Sequence, residues 1–111
     1  MPSLYAEYIN ERGDAKIIEL SQGFATYNIL NQDQIYLMDV YIKPDYRRTH
    51  IASELANMVA VEGRKAGCKE MITTIIPTLN GSTISVKTVI GYGFKLKSAK
   101  ENLIVFYKEI I

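Results

Sequence analysis

Residues 34–67 hold a strand, a short basic turn and a helix in immediate succession, and this order limits the folds open to the chain. β-Branched and aromatic residues dominate residues 35–42 and predict a strand. The strand is expected to end before Pro44, because proline cannot donate to a strand ladder. Helically spaced residues then predict a helix of about sixteen residues that stops at Gly67, with this inward stripe: Ile51, Leu55, Met58, Val59 and Glu62.

The turn Arg47-Arg48-Thr49-His50 lies where the predicted helix begins. Thr49 or Ser53 is the predicted N-cap. The first amides of a helix have no partners within it, and the helix dipole is positive at that end, so anions bind there readily. Two guanidinium groups add donors that suit phosphate oxygens. The turn therefore predicts an anion site, although the same residues also suit a solvated surface turn.

The composition is that of an ordinary globular protein, and we expect one domain over residues 1–111. A net charge of +1 gives no reason to expect binding to nucleic acid or to a membrane surface. Nucleic-acid binding, the weaker alternative, would use four basic residues, Arg47, Arg48, Arg64 and Lys65, whereas sequence-independent binding needs many basic contacts.

The single cysteine, Cys68, is expected to be a small core residue of a protein from a reducing compartment. The N-terminus has no apolar run, so a cytoplasmic location is expected. No metal site is predicted.

The N-terminal third predicts a short helix and two strands. Ser3 would cap a helix over residues 3–12, and a strand is the alternative because tyrosine-rich segments also suit sheets. Residues 16–20 and 24–30 are the predicted strands, and they join strand 35–42 in an antiparallel meander.

A second strand–helix unit follows Gly67. Residues 70–76 form a nearly continuous apolar and threonine run, which predicts a strand buried on both faces and parallel to strand 35–42. The next helix has Ser82 as its predicted cap and Gly93 as its left-handed exit. Its predicted inward residues are Ile84, Val86, Val89 and Ile90.

Strands 94–98 and 103–108 complete the predicted fold as a hairpin that turns at residues 99–102. The apolar run at 103–106 suggests a homodimer through this hairpin. The whole order predicts an α/β (α+β) mixed sheet: an antiparallel meander, a strand–helix–strand–helix unit and a C-terminal β-hairpin.

This order resembles the fold of the GNAT acetyltransferases, which use acetyl-coenzyme A, over about residues 16–109. The family's cofactor signature is Gln or Arg, two residues, Gly, one residue, then Gly or Ala. Here it reads Arg47-Arg48-Thr49-His50-Ile51-Ala52, with His50 in the glycine position. The second signature, a helix ending in a Gly-Phe pair that opens a strand, matches Gly93-Phe94. The chain looks like a minimal, phage-like member.

The resemblance implies where acetyl-coenzyme A would bind. Its pyrophosphate would lie on the helix start, against seven residues: Arg47, Arg48, Thr49, His50, Ile51, Ala52 and Ser53. Its pantetheine arm would pair, like an added strand, with the backbone of Val40, Tyr41 and Ile42, which a β-bulge would open. Three side chains would face the arm, although they also suit helix capping and loop polarity: Asn80, Ser82 and Ser85.

Acetyl transfer requires a neutral amine, whereas a free lysine amine titrates near ~10.4, so a group or water chain must take a proton. Asp39 is the candidate base, and the alternative is a structural carboxylate paired with a nearby Arg, Lys or Tyr. We expect Met38 and Val40 to desolvate it partly. The Val40 amide would bond to the oxyanion that forms during transfer.

Members of the family often carry a tyrosine four residues before the Gly-Phe pair, to protonate the departing thiolate, and this chain has Val89 there. Tyr41, beside the cofactor strand, is the remaining candidate, whereas Tyr92 is expected to pack. The implied function is acetyl transfer to a primary amine of a protein or small molecule. The missing glycine and tyrosine motivate an alternative, a non-catalytic binding module with the same fold. The sequence does not specify the acceptor.

Overall fold

Six strands form one mixed sheet in the computed structural model, which describes residues 3–47, 49–78 and 82–111, with the backbone alone at 82–85. The strands are β1 (Lys16–Leu20), β2 (Gly23–Ile29), β3 (Gln34–Ile42), β4 (Glu70–Ile75), β5 (Lys95–Lys100) and β6 (Leu103–Glu109). The helices are α1 (Leu4–Arg12), α2 (Ile51–Lys65) and α3 (Ser82–Tyr92), and a 3₁₀ turn spans Pro44–Tyr46.

The predicted mixed α/β architecture is confirmed. Across the sheet the strand order is β1-β2-β3-β4-β6-β5. β1, β2 and β3 form the antiparallel meander, and β4 lies parallel to β3 with α2 as the crossover between them. β5 and β6 form the terminal hairpin, and β6 pairs with β4.

α2 covers one face of the sheet and supplies the centre of the core. Ile51, Leu55 and Val59 are buried at helical spacing against residues of four strands, among them Ala25, Ile35, Leu37, Met71 and Phe106. Met58, predicted in this stripe, is instead 37% exposed, because it lies about 100° around the helix from Val59. Cys68 is buried in the same core, as predicted, and burial raises the pKa of its thiol.

α1 lies on the opposite face of the sheet, beside β1. The Ser3 hydroxyl accepts the Ala6 N–H at 3.0 Å, and Gly13 ends the helix in the left-handed region at φ +76°. Ala6 and Ile9 are the buried residues of this helix. The helix prediction with Ser3 as cap is therefore confirmed, and the strand alternative is wrong.

The predicted cap of α2 is wrong, since neither Thr49 nor Ser53 is the N-cap. That position belongs to His50, whose side chain makes no cap bond. The Thr49 hydroxyl instead donates to the Tyr46 carbonyl of the 3₁₀ turn at 2.5 Å, and it receives the Ile51 N–H only at 3.4 Å. Ser53 lies inside the first turn of the helix.

The glycine predictions after α2 and α3 are confirmed, because Gly67 has φ +86° and Gly93 has φ +110°. On α3, Val86 and Val89 pack against the core as predicted, but Ile90 is 56% exposed. Ile90 directly follows Val89 and so lies on a neighbouring face of the helix. Tyr92 takes the inward place instead.

The prediction that the fourth strand is buried on both faces is wrong. Met71, Thr73 and Ile75 face the core, whereas the residues between them are half-exposed. Among the described helices, α2 and α3 pack on the core face and α1 packs beside β1. The other face of β4 is therefore open to solvent, and alternation replaces full burial.

The terminal hairpin differs from prediction in its turn. It turns at residues 101–102, with Glu101 at φ +56°, and β5 carries an irregularity between Leu96 and Ser98. β5 is an edge strand in which every residue is exposed, including three lysines: Lys95, Lys97 and Lys100. Phe106 of the apolar run is buried in the core. The homodimer through this hairpin stays a prediction.

Within residues 3–47, 49–78 and 82–111, no helix has the length and apolar character needed to cross a bilayer.

Candidate active site

β3 and β4 pair over only part of their length. Residues 34–36 of β3 pair with residues 70–72 of β4, while β4 stays paired with β6 as far as Ile75. Side chains bridge the point of separation, where the Thr73 hydroxyl donates to the Leu37 carbonyl at 3.0 Å. Residues 39–42 therefore have no strand partner on the β4 side among the described residues. We call this opening between β3 and β4 the splay.

A β-bulge lies in β3 at the start of the splay. Tyr27 of β2 pairs with Leu37, and the preceding Thr26 pairs with Asp39, so Met38 is the extra residue. A bulge increases local twist and turns the strand away from its neighbour. The predicted bulge is confirmed, and it directly precedes the strand segment 40–42.

Backbone groups of β3 point alternately towards β2 and towards the splay. The Lys43 N–H donates to the Gln22 carbonyl on the β2 side at 2.8 Å. Tyr41 shares that direction, and its carbonyl points at Gly23. Val40 and Ile42 therefore present their backbone groups to the splay. Of the three residues expected to offer backbone groups there, Tyr41 does not, because it belongs to the β2 ladder.

Arg47 is folded back on β3. Its Nε donates to the Ile42 carbonyl at 2.9 Å, and its guanidinium lies 5.7 Å from the centre of the Tyr41 ring. The side chain thus joins the start of α2 to the open edge of the splay. Arg48, predicted beside it, lies outside the described residues.

His50 does not stand over the turn. Its Nε2 lies 3.1 Å from Glu54 Oε1, one turn along α2, and the imidazole is 75% exposed. The first backbone bond within the helix is donated by Glu54 to the His50 carbonyl at 2.9 Å. The amides of residues 51–53 precede that bond, so they lie at the positive end of the helix.

Asp39 is the only carboxylate of β3, and it follows the bulge. Its Oδ2 accepts a hydrogen bond from the Thr26 hydroxyl at 3.2 Å. Thr26 is buried, but the Asp39 side chain is exposed, so the predicted partial desolvation is wrong. The bulge explains this, because it turns Asp39 onto the face that α2 does not cover. Among the described residues no basic side chain forms an ion pair with Asp39.

The remaining predicted residues lie on or before α3. Asn80 lies outside the described residues, and the side chains of Ser82 and Ser85 are not described, so their roles stay predictions. Tyr92 packs as expected: its hydroxyl donates to Asn57 Oδ1 on α2, and burial raises its pKa.

Sequence reasoning missed two residues on the face that carries Asp39. Thr26 orients the carboxylate, and Phe24 stacks on the Tyr41 ring with centroids 5.7 Å apart. Both belong to β2 and lie directly opposite the residues they contact. Cross-strand pairing in the predicted meander was the available signal, but the bulge shifts the register by one residue.

The comparisons with known proteins agree with this geometry. The family model of the acetyltransferase (GNAT) family matches residues 11–86, more than half of the chain. The chain therefore belongs to the acetyltransferase (GNAT) family. Acetyl-coenzyme A is the cosubstrate of that family. A comparison with curated proteins finds no match.

Solved structures share the fold at low identity. A protein assigned to the GNAT family from Desulfovibrio desulfuricans has a TM-score of 0.78 at 12% identity, over 96% of this chain and 76% of its own. A GNAT acetyltransferase of Elizabethkingia anophelis with acetyl-CoA bound has a TM-score of 0.73 at 14% identity, over 98% and 92%. The PaiA N-acetyltransferase of Thermoplasma acidophilum, in complex with coenzyme A, gives 0.74 at 18%, over 96% and 68%. At these identities the likeness shows the fold alone.

Proposed function

We propose that this protein transfers the acetyl group of acetyl-coenzyme A to a primary amine. One observation carries the proposal: the splay presents the backbone of Val40 and Ile42 beside the exposed Asp39 carboxylate, at the start of a helix. A hydrogen-bonding edge, a proton acceptor and a positive helix end are thereby within one short segment. Acetyl-coenzyme A supplies the acetyl group as an activated thioester.

The residues present fit this cosubstrate. Val40 and Ile42 offer backbone groups that no neighbouring strand uses in the described part of the chain, which suits an extended amide-containing arm. The amides of 51–53 and the Arg47 guanidinium suit a pyrophosphate. Thr49, His50 and Arg48 are the other residues of this turn that we expect to lie against the pyrophosphate. Because Arg47 already holds the Ile42 carbonyl, it would exchange that bond for phosphate oxygens.

Asp39 is proposed as the group that takes the proton from the incoming ammonium, directly or through water. Its exposure permits a water chain, and the Thr26 hydroxyl fixes its orientation. The Val40 N–H would donate to the oxygen that gains negative charge during transfer. Tyr41 is the proposed donor of a proton to the leaving thiolate, since its phenol lies two residues from Asp39 on the same face.

A second candidate function is a non-catalytic module that keeps the cosubstrate cleft. Two observations favour it: His50 occupies the glycine position, and Val89 occupies the position where relatives often have a tyrosine. The Glu54 carboxylate in the first turn of α2 adds negative charge near the expected phosphate site. This candidate predicts binding without turnover.

Thermal unfolding in the presence of acetyl-coenzyme A tests the proposal. At a concentration about a hundred times its dissociation constant, a ligand specific for the native state adds about 2.7 kcal/mol to the free energy of unfolding. For a domain of this size we expect Tm to rise on the order of 10 °C. An unchanged Tm at millimolar acetyl-coenzyme A would remove the proposal. A rise without acetylation of any amine in a panel would favour the binding module.

Asp39→Asn tests the proposed proton acceptor. We expect turnover to fall about tenfold, less than the hundredfold or more typical of general bases, because water can partly replace an exposed carboxylate. The rise in Tm with acetyl-coenzyme A should stay as in the wild type. Asp33→Asn, the same change at an exposed loop residue, is the matched control. Equal turnover in the Asp39 and Asp33 variants would exclude Asp39 as the base.

A further inference from the structure

Four aromatic rings form a continuous row on the sheet face that α2 does not cover. Ring centroids are 6.5 Å apart between Tyr8 and Tyr5, 5.1 Å between Tyr5 and Phe24, and 5.7 Å between Phe24 and Tyr41. The row begins on α1, crosses β2 and ends on β3, two residues from Asp39. We call these four residues the aromatic strip.

Packing of α1, which includes the contact of Tyr5 with Phe24, accounts for only part of this aromatic surface. Tyr8 is 53% exposed, Tyr5 40% and Tyr41 45%, whereas the buried contacts of α1 are made by Ala6 and Ile9. Rings that served only to attach the helix would be covered by it. Much of the strip therefore remains available to a ligand.

The strip is a surface for cations. Its two end rings already hold the protein's own guanidinium groups, with Arg12 5.3 Å from the Tyr8 centroid and Arg47 5.7 Å from the Tyr41 centroid. A carboxylate also lies near the central ring: Asp39 pairs with Thr26, two residues beyond Phe24 on β2.

The strip is also open rather than enclosed. Three of its four residues, Tyr5, Tyr8 and Tyr41, expose 40–53% of their surface. Small molecules are usually bound in concave pockets that cover most of their surface. An open row of rings instead suits a side chain that is carried by a larger molecule.

We propose that the aromatic strip binds the acceptor, and that the acceptor is the lysine side chain of a polypeptide. The methylene groups would lie on the rings of Phe24 and Tyr41, and the ammonium group would meet the Asp39 carboxylate. The acceptor role rests on the proposed acetyl transfer, whereas binding of the lysine side chain to the strip does not require acetyl-coenzyme A.

Amide chemical shifts measured during titration test the proposal. The probe is a capped pentapeptide, Gly-Gly-Lys-Gly-Gly, and its partner carries norleucine, which keeps the methylene chain and lacks the ammonium group. We expect the lysine peptide to shift the resonances of Phe24, Tyr41 and Asp39, and the norleucine peptide to bind more weakly. Equal binding of the two peptides, or shifts confined to other residues, would overturn it.

Variants locate the site. Phe24→Leu keeps apolar bulk and removes the ring, and we expect lysine-peptide affinity to fall about threefold. Tyr41→Leu provides a second variant if Phe24→Leu does not fold, with a similar fall in peptide affinity expected. Tyr107→Leu is the control, since Lys97 lies 5.4 Å above that ring on β6, away from the strip. A fall in the control as large as in both strip variants would refute the assignment.

Further measurements compare other ligands with the lysine peptide. They also separate the failure of this inference from the failure of the proposed function. If butylamine binds as tightly as the lysine peptide, the proposal that the acceptor is part of a polypeptide is wrong. If an oligouridylate binds more tightly than the peptide at physiological salt, the strip is a nucleobase site and the proposal is wrong. If acetyl-coenzyme A leaves Tm unchanged while the lysine peptide binds, the proposed function fails and the strip stands. If acetyl-coenzyme A raises Tm but the lysine and norleucine peptides bind alike, the assignment of the strip is wrong and the proposed function stands.

Discussion

Proline at position 40 should lower amine acetylation about 10²–10³-fold while the protein stays folded, because it removes one hydrogen-bond donor aimed at developing charge. The Val40 N–H faces the splay, so its loss costs no bond of the β2–β3 ladder. The measurement is kcat from coenzyme A release, together with Tm of the variant. Full turnover in a folded Val40→Pro protein would show that this amide does not act in transfer.

Two variants make this test specific. Val40→Ala keeps the N–H and trims a side chain that is already 40% exposed, so turnover should stay within a few-fold of the wild type. Tyr41→Pro removes the neighbouring N–H, which faces β2, and should lower Tm because a ladder bond is lost. If positions 40 and 41 responded alike, the two amides would not point in opposite directions.

Alanine in place of Gly23 should lower the free energy of unfolding by about 3 kcal/mol or more. This is the upper end of the usual destabilisation when a group is added to a well-packed region. A Cβ there would lie 2.2 Å from the Tyr41 carbonyl oxygen and 3.0 Å from Ile42 Cα, so the backbone of β3 must shift. The corresponding fall in Tm is roughly 10–20 °C. Because the displaced segment borders the splay, the rise in Tm with acetyl-coenzyme A should also shrink.

Gly91→Ala is the matched change. It lies in α3, and an added Cβ there meets no described atom within 4 Å apart from the backbone of the helix itself. Replacing a helical glycine by alanine favours the helix by up to about 1 kcal/mol, so Tm should rise slightly. Thermal unfolding of both variants checks the pair. Destabilisation of equal size at the two positions would contradict the close approach of β2 to β3 at Gly23.

Much of the fold was predictable because local signals and topology agreed. The apolar spacing of Ile51, Leu55 and Val59 fixed the inward face of α2, and Gly67 and Gly93 marked two helix ends. A strand, a helix and a strand in order then required the parallel pairing of β3 with β4. The position of the splay followed from that pairing and from the family resemblance.

The details of the candidate site depend on contacts distant in sequence, which local patterns do not contain. Only the family resemblance implied a bulge, and its position at Met38 decides that Asp39 is exposed and that Thr26 is its partner. Arg47 has a long side chain that selects among nearby acceptors only after β3 and α2 are in place. His50 similarly reaches Glu54, a partner defined by the phase of the helix.

The fully solvated border strand β5 has a consequence for self-association. Suppose that two copies paired antiparallel along their β5 edges. The lysines of one copy would then lie next to the lysines of the other: Lys95, Lys97 and Lys100. Like charges facing one another across paired strands repel, and lysine-rich borders are one way in which natural sheets avoid growing into continuous ribbons. The lysines of β5 therefore disfavour growth of the sheet by edge-to-edge pairing along this strand.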